Sequence, residues 1–251
     1  MDRITETVKT LIIINVIFFI GSMLLSPGTA DGLFAMHFPL NPNFKIWQPL
    51  THMFMHGGVS HIFFNMFNLF MFGSILEKSL GTNKFLFLYF SAGFGSLLLH
   101  LSIGYINYYP AYSILKGNGL SLSEIQQFVN NIATTGEYIN YKGLTNENLT
   151  NMIGQYYSKM VGASGAISGL FMAFAVLYPN LPLQIMFIPV PIKAKYLVGG
   201  YFLIDLYFAI SGKSMFSGVN IAHWAHIGGA IVGFIIIWYW KKNSFNNRRW
   251  N

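Results

Sequence analysis

Residues 225–240 read AHIGGAIVGFIIIWYW, sixteen consecutive positions without Asp, Glu, Lys or Arg. A run of this kind cannot present a water-facing side, so it reads as a helix buried in protein or lipid. Within it His226, Gly229 and Gly233 stand at i, i+3 and i+7 and share one helical face. A second run, GASGAISG at 162–169, carries Gly165 and Gly169 four apart behind Ser164. Two Gly-x-x-x-Gly seams allow two helix backbones to cross closely. Such a crossing brings a short serine side chain within reach of a histidine on the neighbouring helix.

The whole chain agrees with a membrane setting. Of its 251 residues 53% are hydrophobic and only 9% charged, against about 25% charged in a soluble domain. That excludes an ordinary soluble enzyme and a disordered chain. With no Cys, disulfides, thiolate metal sites and a Cys nucleophile are excluded as well. Six apolar stretches stand out at 8–25, 61–76, 85–104, 164–178, 196–211 and 225–240. Several are shorter than the ~20 residues of a lone span and hold Asn or Gly, so they are expected to pack on one another. The expected fold is therefore all-α, a polytopic membrane bundle of six transmembrane helices forming a single domain over 1–251. The first stretch follows a mixed-charge segment (Asp2, Arg3, Glu6, Lys9) and precedes no Ala-x-Ala site, so it reads as a retained helix rather than a signal peptide.

Six spans put both termini on one side. With that side cytoplasmic, the inner segments hold Arg3, Lys9, Lys78, Lys84, Lys193, Lys195, Lys241, Lys242, Arg248 and Arg249, and the outer ones Lys45, Lys116, Lys142, Lys159 and Lys213. Ten against five follows the positive-inside rule, so the +7 net charge is accounted for by topology. No Lys/Arg cluster is interleaved with stacking aromatics, so nucleic acid is not an expected partner. The lipid bilayer is.

Two outer segments are unusual. Residues 26–51 are rich in Pro and aromatics and are expected in the interface. Residues 105–160 carry eight Asn, too polar to span and too long for a structureless connection. There Ser121 and Glu124 form a capping box. Ile125, Phe128, Val129 and Ile132 then repeat with helical spacing, as do Leu149, Met152, Ile153, Tyr156, Tyr157 and Met160. This insertion is expected to hold two amphipathic helices, on the membrane surface or against the bundle.

Polar groups inside spans are costly and point to function. Ser164 needs a base and oxyanion donors to act as a nucleophile, and the small residues around it are equally what close helix packing needs. The hydrolase elbow is not matched, since Ala166 stands at its second glycine. His226 is of the usual general-base type. His52-x3-His56-x4-His61-x3-Asn65 places His61 and Asn65 on one face, and both can donate hydrogen bonds to an oxyanion. A metal or haem site is the competing reading of these histidines, but no Glu follows His52 to give His-Glu-x-x-His and the nearby Glu77 falls at the far end of its helix. His100 is isolated and reads as a single hydrogen-bonded histidine.

Taken together, HMFMHGGVSHIFFN at 52–65, Trp47 before it, Glu77 after it, Gly162-Ala163-Ser164-Gly165, and Ala225-His226 with Gly229 and Gly233 resemble the rhomboid intramembrane serine proteases. The resemblance covers about residues 8–104 and 161–241. It implies Ser164 as nucleophile and His226 as general base and acid, a dyad with no third member. It further implies His61, Asn65 and the Ser164 N–H as the oxyanion site, and no cofactor or metal. His223 then has no assigned chemistry, and His52, His56 and Glu77 support the helix arrangement. Asp205, on the fifth span, is read as structural. The chain departs from the family pattern at Gln48, where Arg usually follows the Trp, and at Ser168, where an aromatic often packs on the base. The implied activity is serine endopeptidase cleavage of transmembrane segments of protein substrates, entering between Phe63, Phe64 and Phe67 of the second span and Phe202, Tyr207 and Phe208 of the fifth. The implied location is the cell inner membrane. A non-catalytic rhomboid-like protein that binds membrane helices is the alternative.

Overall fold

A computed structural model describes residues 4–184, 190–212 and 222–247, with side chains as far as 243. The basic residues Arg3, Lys213, Arg248 and Arg249 of the topology argument lie outside the described residues. Helix α1 spans Glu6–Leu24, the short α2 Thr29–Phe34, and α3 Gln48–Thr51, which runs into a 3-10 turn at His52–Phe54. Helix α4 (Val59–Asn68) continues through a π turn (Leu69–Gly73) into α5 (Ser74–Leu80). Then come α6 (Thr82–Gly117), α7 (Leu122–Thr135), α8 (Asn146–Tyr156), α9 (Ser164–Leu177), α10 (Ala194–Ser211) and α11 (His223–Asn247). Two small antiparallel ladders complete the described architecture: β1 (Met36–His37) with β2 (Lys159–Met160), and β3 (Pro182–Gln184) with β4 (Pro191–Lys193).

This is a helical membrane bundle. Helices α1, α4–α5 and α6 are each long and apolar enough to cross a bilayer. Helix α9, with 14 residues, reaches only about 21 Å, short of a hydrocarbon core of about 30 Å. It sits at the centre, where Ala166, Ile167, Leu170, Ala173 and Phe174 are buried among α4, α6 and α11.

The two glycine seams meet. A Cβ on Gly229 would overlap the carbonyl oxygen of Gly165, and one on Gly233 that of Gly169. On the flank of α11, a Cβ on Gly228 would fall 2.6 Å from the Gly95 oxygen of α6. Helix α11 is thus wedged backbone to backbone between α9 and α6, with no room for one methyl group.

The third helix outruns its expected end. The apolar run stops near 104, yet α6 continues to Gly117 through Pro110. Tyr108, Ala111 and Leu115 are buried there against Ile125 and Val129 of α7 and Met152 and Tyr156 of α8. Tertiary packing therefore extends the helix where composition argues for its end, and the polar insertion is built on that extension. The capping box is present: Glu124 N–H donates to Ser121 Oγ at 3.3 Å, and Ser121 N–H to Glu124 Oε2 at 2.7 Å.

Buried polar side chains tie down what the apolar core leaves loose. Glu77 accepts from the Val8 N–H at 3.2 Å and from Thr82 Oγ1 at 3.0 Å, joining the starts of α1 and α6 to the end of α5. Gln48 is fully buried. It donates to the Gly32 and Asn43 carbonyls and accepts from the His37 N–H, so it anchors the segment before α4 at the position of the family's arginine. His52 Nδ1 donates to the Gln48 carbonyl at 3.0 Å, and the His56 ring sits edge-on against His61 at 5.0 Å.

Two outcomes are expected. Gly229→Ala should cost at least about 3 kcal/mol or prevent folding, because the obstacle is backbone. Gly199→Ala on α10, with open space around it, should be neutral or gain up to about 1 kcal/mol; thermal unfolding in detergent compares them. Acid should also loosen the segment before α4. Burial pushes His52 down to about 4, opposed by its bonds to Gln48 and Pro49 and aided by nearby His100. Burial and the neighbouring His61 push His56 to about 4 as well. The unfolded chain takes up these protons near 6.5, so stability is full above pH 6.5 and falls as pH drops from about 6.5 to about 4. Melting temperatures at pH 7 and pH 5 should show the loss, and replacing both histidines with Gln should flatten it.

Candidate active site

The approach to Ser164 is fixed by backbone. After β2 the chain turns at Gly162, whose φ of +114° lies in the left-handed region that only glycine adopts freely. A Cβ there would also fall 2.8 Å from His61 Nε2. The Gly162 N–H donates to the His52 carbonyl at 2.8 Å, pinning the loop to the turn before α4. Ser164 is the first residue of α9, so its N–H is among the first-turn donors without an intrahelical acceptor. The positive end of the helix dipole lies at the hydroxyl.

The α9–α11 crossing brings the histidine to it. His226 Nε2 lies 3.0 Å from Ser164 Oγ. On its other side His226 Nδ1 lies 3.0 Å from the Tyr201 hydroxyl and 3.1 Å from Asp205 Oδ2, both on α10. The second carboxylate oxygen, Asp205 Oδ1, is 2.5 Å from His223 Nδ1, and the His223 ring stacks on Phe208 at 5.5 Å. Asp205 and His223 are buried, at 4% and 7% exposed.

The structure sets Asp205, read from the sequence as structural, and His223, left without assigned chemistry, beside His226: the carboxylate bridges the two histidines. At Ser168, where the chain departs from the family pattern, an aromatic ring stands near His226 from another helix instead. Ser168 is small and buried, and the Tyr201 ring lies over His226 at 6.3 Å and 31°. The signal for Tyr201 is its position one helical turn before Asp205 on α10, just as His223 and His226 stand at i, i+3 on α11.

His61 is held with a defined tautomer. Its Nδ1 accepts from the Gly57 N–H at 3.3 Å, which leaves the ring proton on Nε2, the nitrogen turned toward Gly162. Asn65 is buried on the same helix and uses one amide hydrogen on the His61 carbonyl, at 2.8 Å; a second hydrogen remains. His52 and His56 bond to backbone carbonyls. Among the described residues, the ligand-type cluster is instead Asp205, His223 and His226, whose atoms lie within 4.8 Å of one another.

An apolar cavity of about 650 Å³ opens between α4 and α10. Phe64, Phe67 and Met71 line one wall, Phe171 the floor, Val198 and Tyr201 the other wall. Of Phe63, Phe64 and Phe67, named from the sequence, Phe64 and Phe67 line this cavity and Phe63 does not. On α10, however, the lining face is that of Leu197, Val198 and Tyr201 rather than Phe202, Tyr207 and Phe208, and Phe208 stacks on His223 instead. Tyr201 thus borders the cavity and lies 3.0 Å from His226 through its hydroxyl.

The chain is similar to known proteins. A family model described as the rhomboid domain matches residues 43–117 and 130–243. The chain is 29% identical over 200 residues to RHOMBOID-like protein 12, mitochondrial, of Arabidopsis thaliana, covering 78% of this chain and 47% of that protein. It is 30% identical over 92 residues to rhomboid protease GlpG of Haemophilus influenzae, covering 35% and 44% of the two chains. It is 35% identical over 51 residues to the putative rhomboid protease YdcA of Bacillus subtilis, covering 20% and 26%. The chain thus spans about half the length of the first two relatives. With its apolar helices and this match, the chain is a multi-pass membrane protein that belongs to the rhomboid family, which includes intramembrane serine proteases.

Proposed function

We propose that this protein is an intramembrane serine endopeptidase that cleaves transmembrane segments of protein substrates with a Ser164–His226 dyad. The observation that carries the reading is the 3.0 Å approach of His226 Nε2 to Ser164 Oγ across two glycine seams. Ser164 Oγ bonds to the scissile carbonyl carbon as His226 Nε2 takes its proton. The carbonyl oxygen becomes an oxyanion facing the Ser164 N–H, His61 Nε2–H and the free hydrogen of Asn65. Collapse breaks the C–N bond, with His226 returning the proton to the leaving amine. Water activated by the same ring then hydrolyses the acyl-enzyme.

A substrate helix hides its carbonyls in its own hydrogen bonds and must unwind to reach the serine. The cavity between α4 and α10 is the proposed entrance, with a wall at Tyr201 beside the base. The proposed setting is the cell inner membrane, with six spans, both termini cytoplasmic and 105–160 as an external insertion; the basic-residue asymmetry of the sequence supports that orientation.

Fluorophosphonate labelling in detergent tests the reading. Wild type should label and should cleave a transmembrane substrate, and Ser164→Ala and His226→Ala should do neither. An unlabelled wild type, beside a rhomboid protease that labels, would sink the proposal in favour of a non-catalytic helix-binding protein.

A further inference from the structure

We propose that Asp205 is a positioning residue for the base, held by His223 and assisted by Tyr201, so that a carboxylate stands behind the Ser164–His226 pair. This deepens the protease reading and rests on it.

A base acting through Nε2 needs its lone pair there and its proton on Nδ1. Nothing in a Ser–His pair alone imposes that tautomer, since the serine can equally accept from Nε2–H. Here Nδ1 faces Asp205 Oδ2 at 3.1 Å. An ionised carboxylate can only accept, so it draws the ring proton to Nδ1 and leaves the Nε2 lone pair on Ser164 Oγ. When His226 becomes imidazolium during attack, the same carboxylate lies against the new charge in a site of low dielectric.

The second carboxylate oxygen shows how Asp205 is kept in place. Oδ1 takes His223 Nδ1 at 2.5 Å, and Phe208 stacks on that ring. Gripped at both oxygens, the carboxylate cannot rotate away from His226. A pin between α10 and α11 would need only the His223 contact. The Oδ2 contact also ties α10 to α11, but it alone sets a carboxylate at the far nitrogen of the base, where it acts on the tautomer as well as on the packing. Tyr201 completes the enclosure, its hydroxyl 3.0 Å from the same Nδ1. The groups facing His226 are therefore Ser164 from α9, Tyr201 and Asp205 from α10, His223 from α11 itself, and His61 from α4.

The test uses the full chain in detergent. The rate of fluorophosphonate labelling, kcat and KM on a transmembrane substrate, and the melting temperature are measured for wild type, Asp205→Asn and Asp205→Glu. An amide at 205 can donate to Nδ1 and leave the ring proton facing Ser164. Labelling and kcat should then fall by about 10²-fold or more, with KM and melting temperature near wild type. Asp205→Glu, which keeps the carboxylate, should recover part of the rate. If Asp205→Asn labels at the wild-type rate, or loses rate only in proportion to its folded fraction, Asp205 is a structural pin and the proposal is overturned. Should Asp205→Asn fail to fold, nitrogen-15 NMR of histidine-labelled wild type decides. A neutral His226 protonated on Nδ1 supports the proposal, and one protonated on Nε2 overturns it. Wild-type labelling lost in EDTA and restored by Zn2+ would also overturn it, making Asp205, His223 and His226 a metal site. A wild type that neither labels nor cleaves sinks the protease reading as well, whereas a labelled wild type with a fully active Asp205→Asn sinks this proposal alone.

Discussion

The crossing of α9 and α11 at Gly165/Gly229 and Gly169/Gly233 is the constraint on which the rest of the structure depends. A serine side chain is short, and two helices separated by ordinary side chains at 8–10 Å could not bring it to a histidine ring. Removing every Cβ from the seam lets the backbones touch, and Ser164 and His226 at its one end come within 3.0 Å. Lipid tails are as apolar as leucine, so burial gives little drive to such an approach inside a bilayer. Dispersion contacts between closely packed backbones supply it. The short α9 follows from the same arrangement: a helix enclosed by α4, α6 and α11 need not match the thickness of the lipid.

Around that crossing, polar anchors hold the parts that close packing alone cannot. The segment before α4 has little regular structure of its own, yet it must deliver the His52 carbonyl to Gly162 and the His61 ring to the space beside it. Gln48 fixes its path through three backbone bonds, and His52 and His56 fill its interior as neutral, buried rings. Glutamine thereby satisfies backbone groups where the family pattern has arginine, without burying a charge that would need a counterion.

The sequence makes some of this legible because the signals are local. Each seam is a four-residue spacing on one helix, the capping box spans Ser121 to Glu124, and the face shared by His61 and Asn65 is one helical turn. What it conceals depends on alignment between elements. The continuation of α6 to Gly117 is stabilised by α7 and α8, which lie later in the chain, and a Tyr-rich stretch containing Pro110 gives no apolar run to announce it. The π turn at Leu69–Gly73 likewise leaves no mark that composition could reveal. Asp205 is the clearest case. On α10 alone it is one acid in an apolar helix, and only the relative depth of α10 and α11 decides whether it meets His223 and His226 or a different neighbour. Its i, i+4 relation to Tyr201 and the i, i+3 relation of the two histidines were both visible, but neither spacing says that the two faces oppose each other.

That opposition couples two parts of the site. Tyr201 and Val198 form a wall of the cavity, and Tyr201 and Asp205, one turn further on, grip His226. A displacement of α10 that widened the cavity would act on the same element that contacts His226, since packed helices shift as units. The grip on His223 limits that displacement at the Asp205 end, and the Ala194 and Lys195 N–H groups, bonded to the Leu181 and Pro179 carbonyls, limit it at the other. The width of the cavity and the setting of His226 are therefore fixed by one helix that is held at both ends.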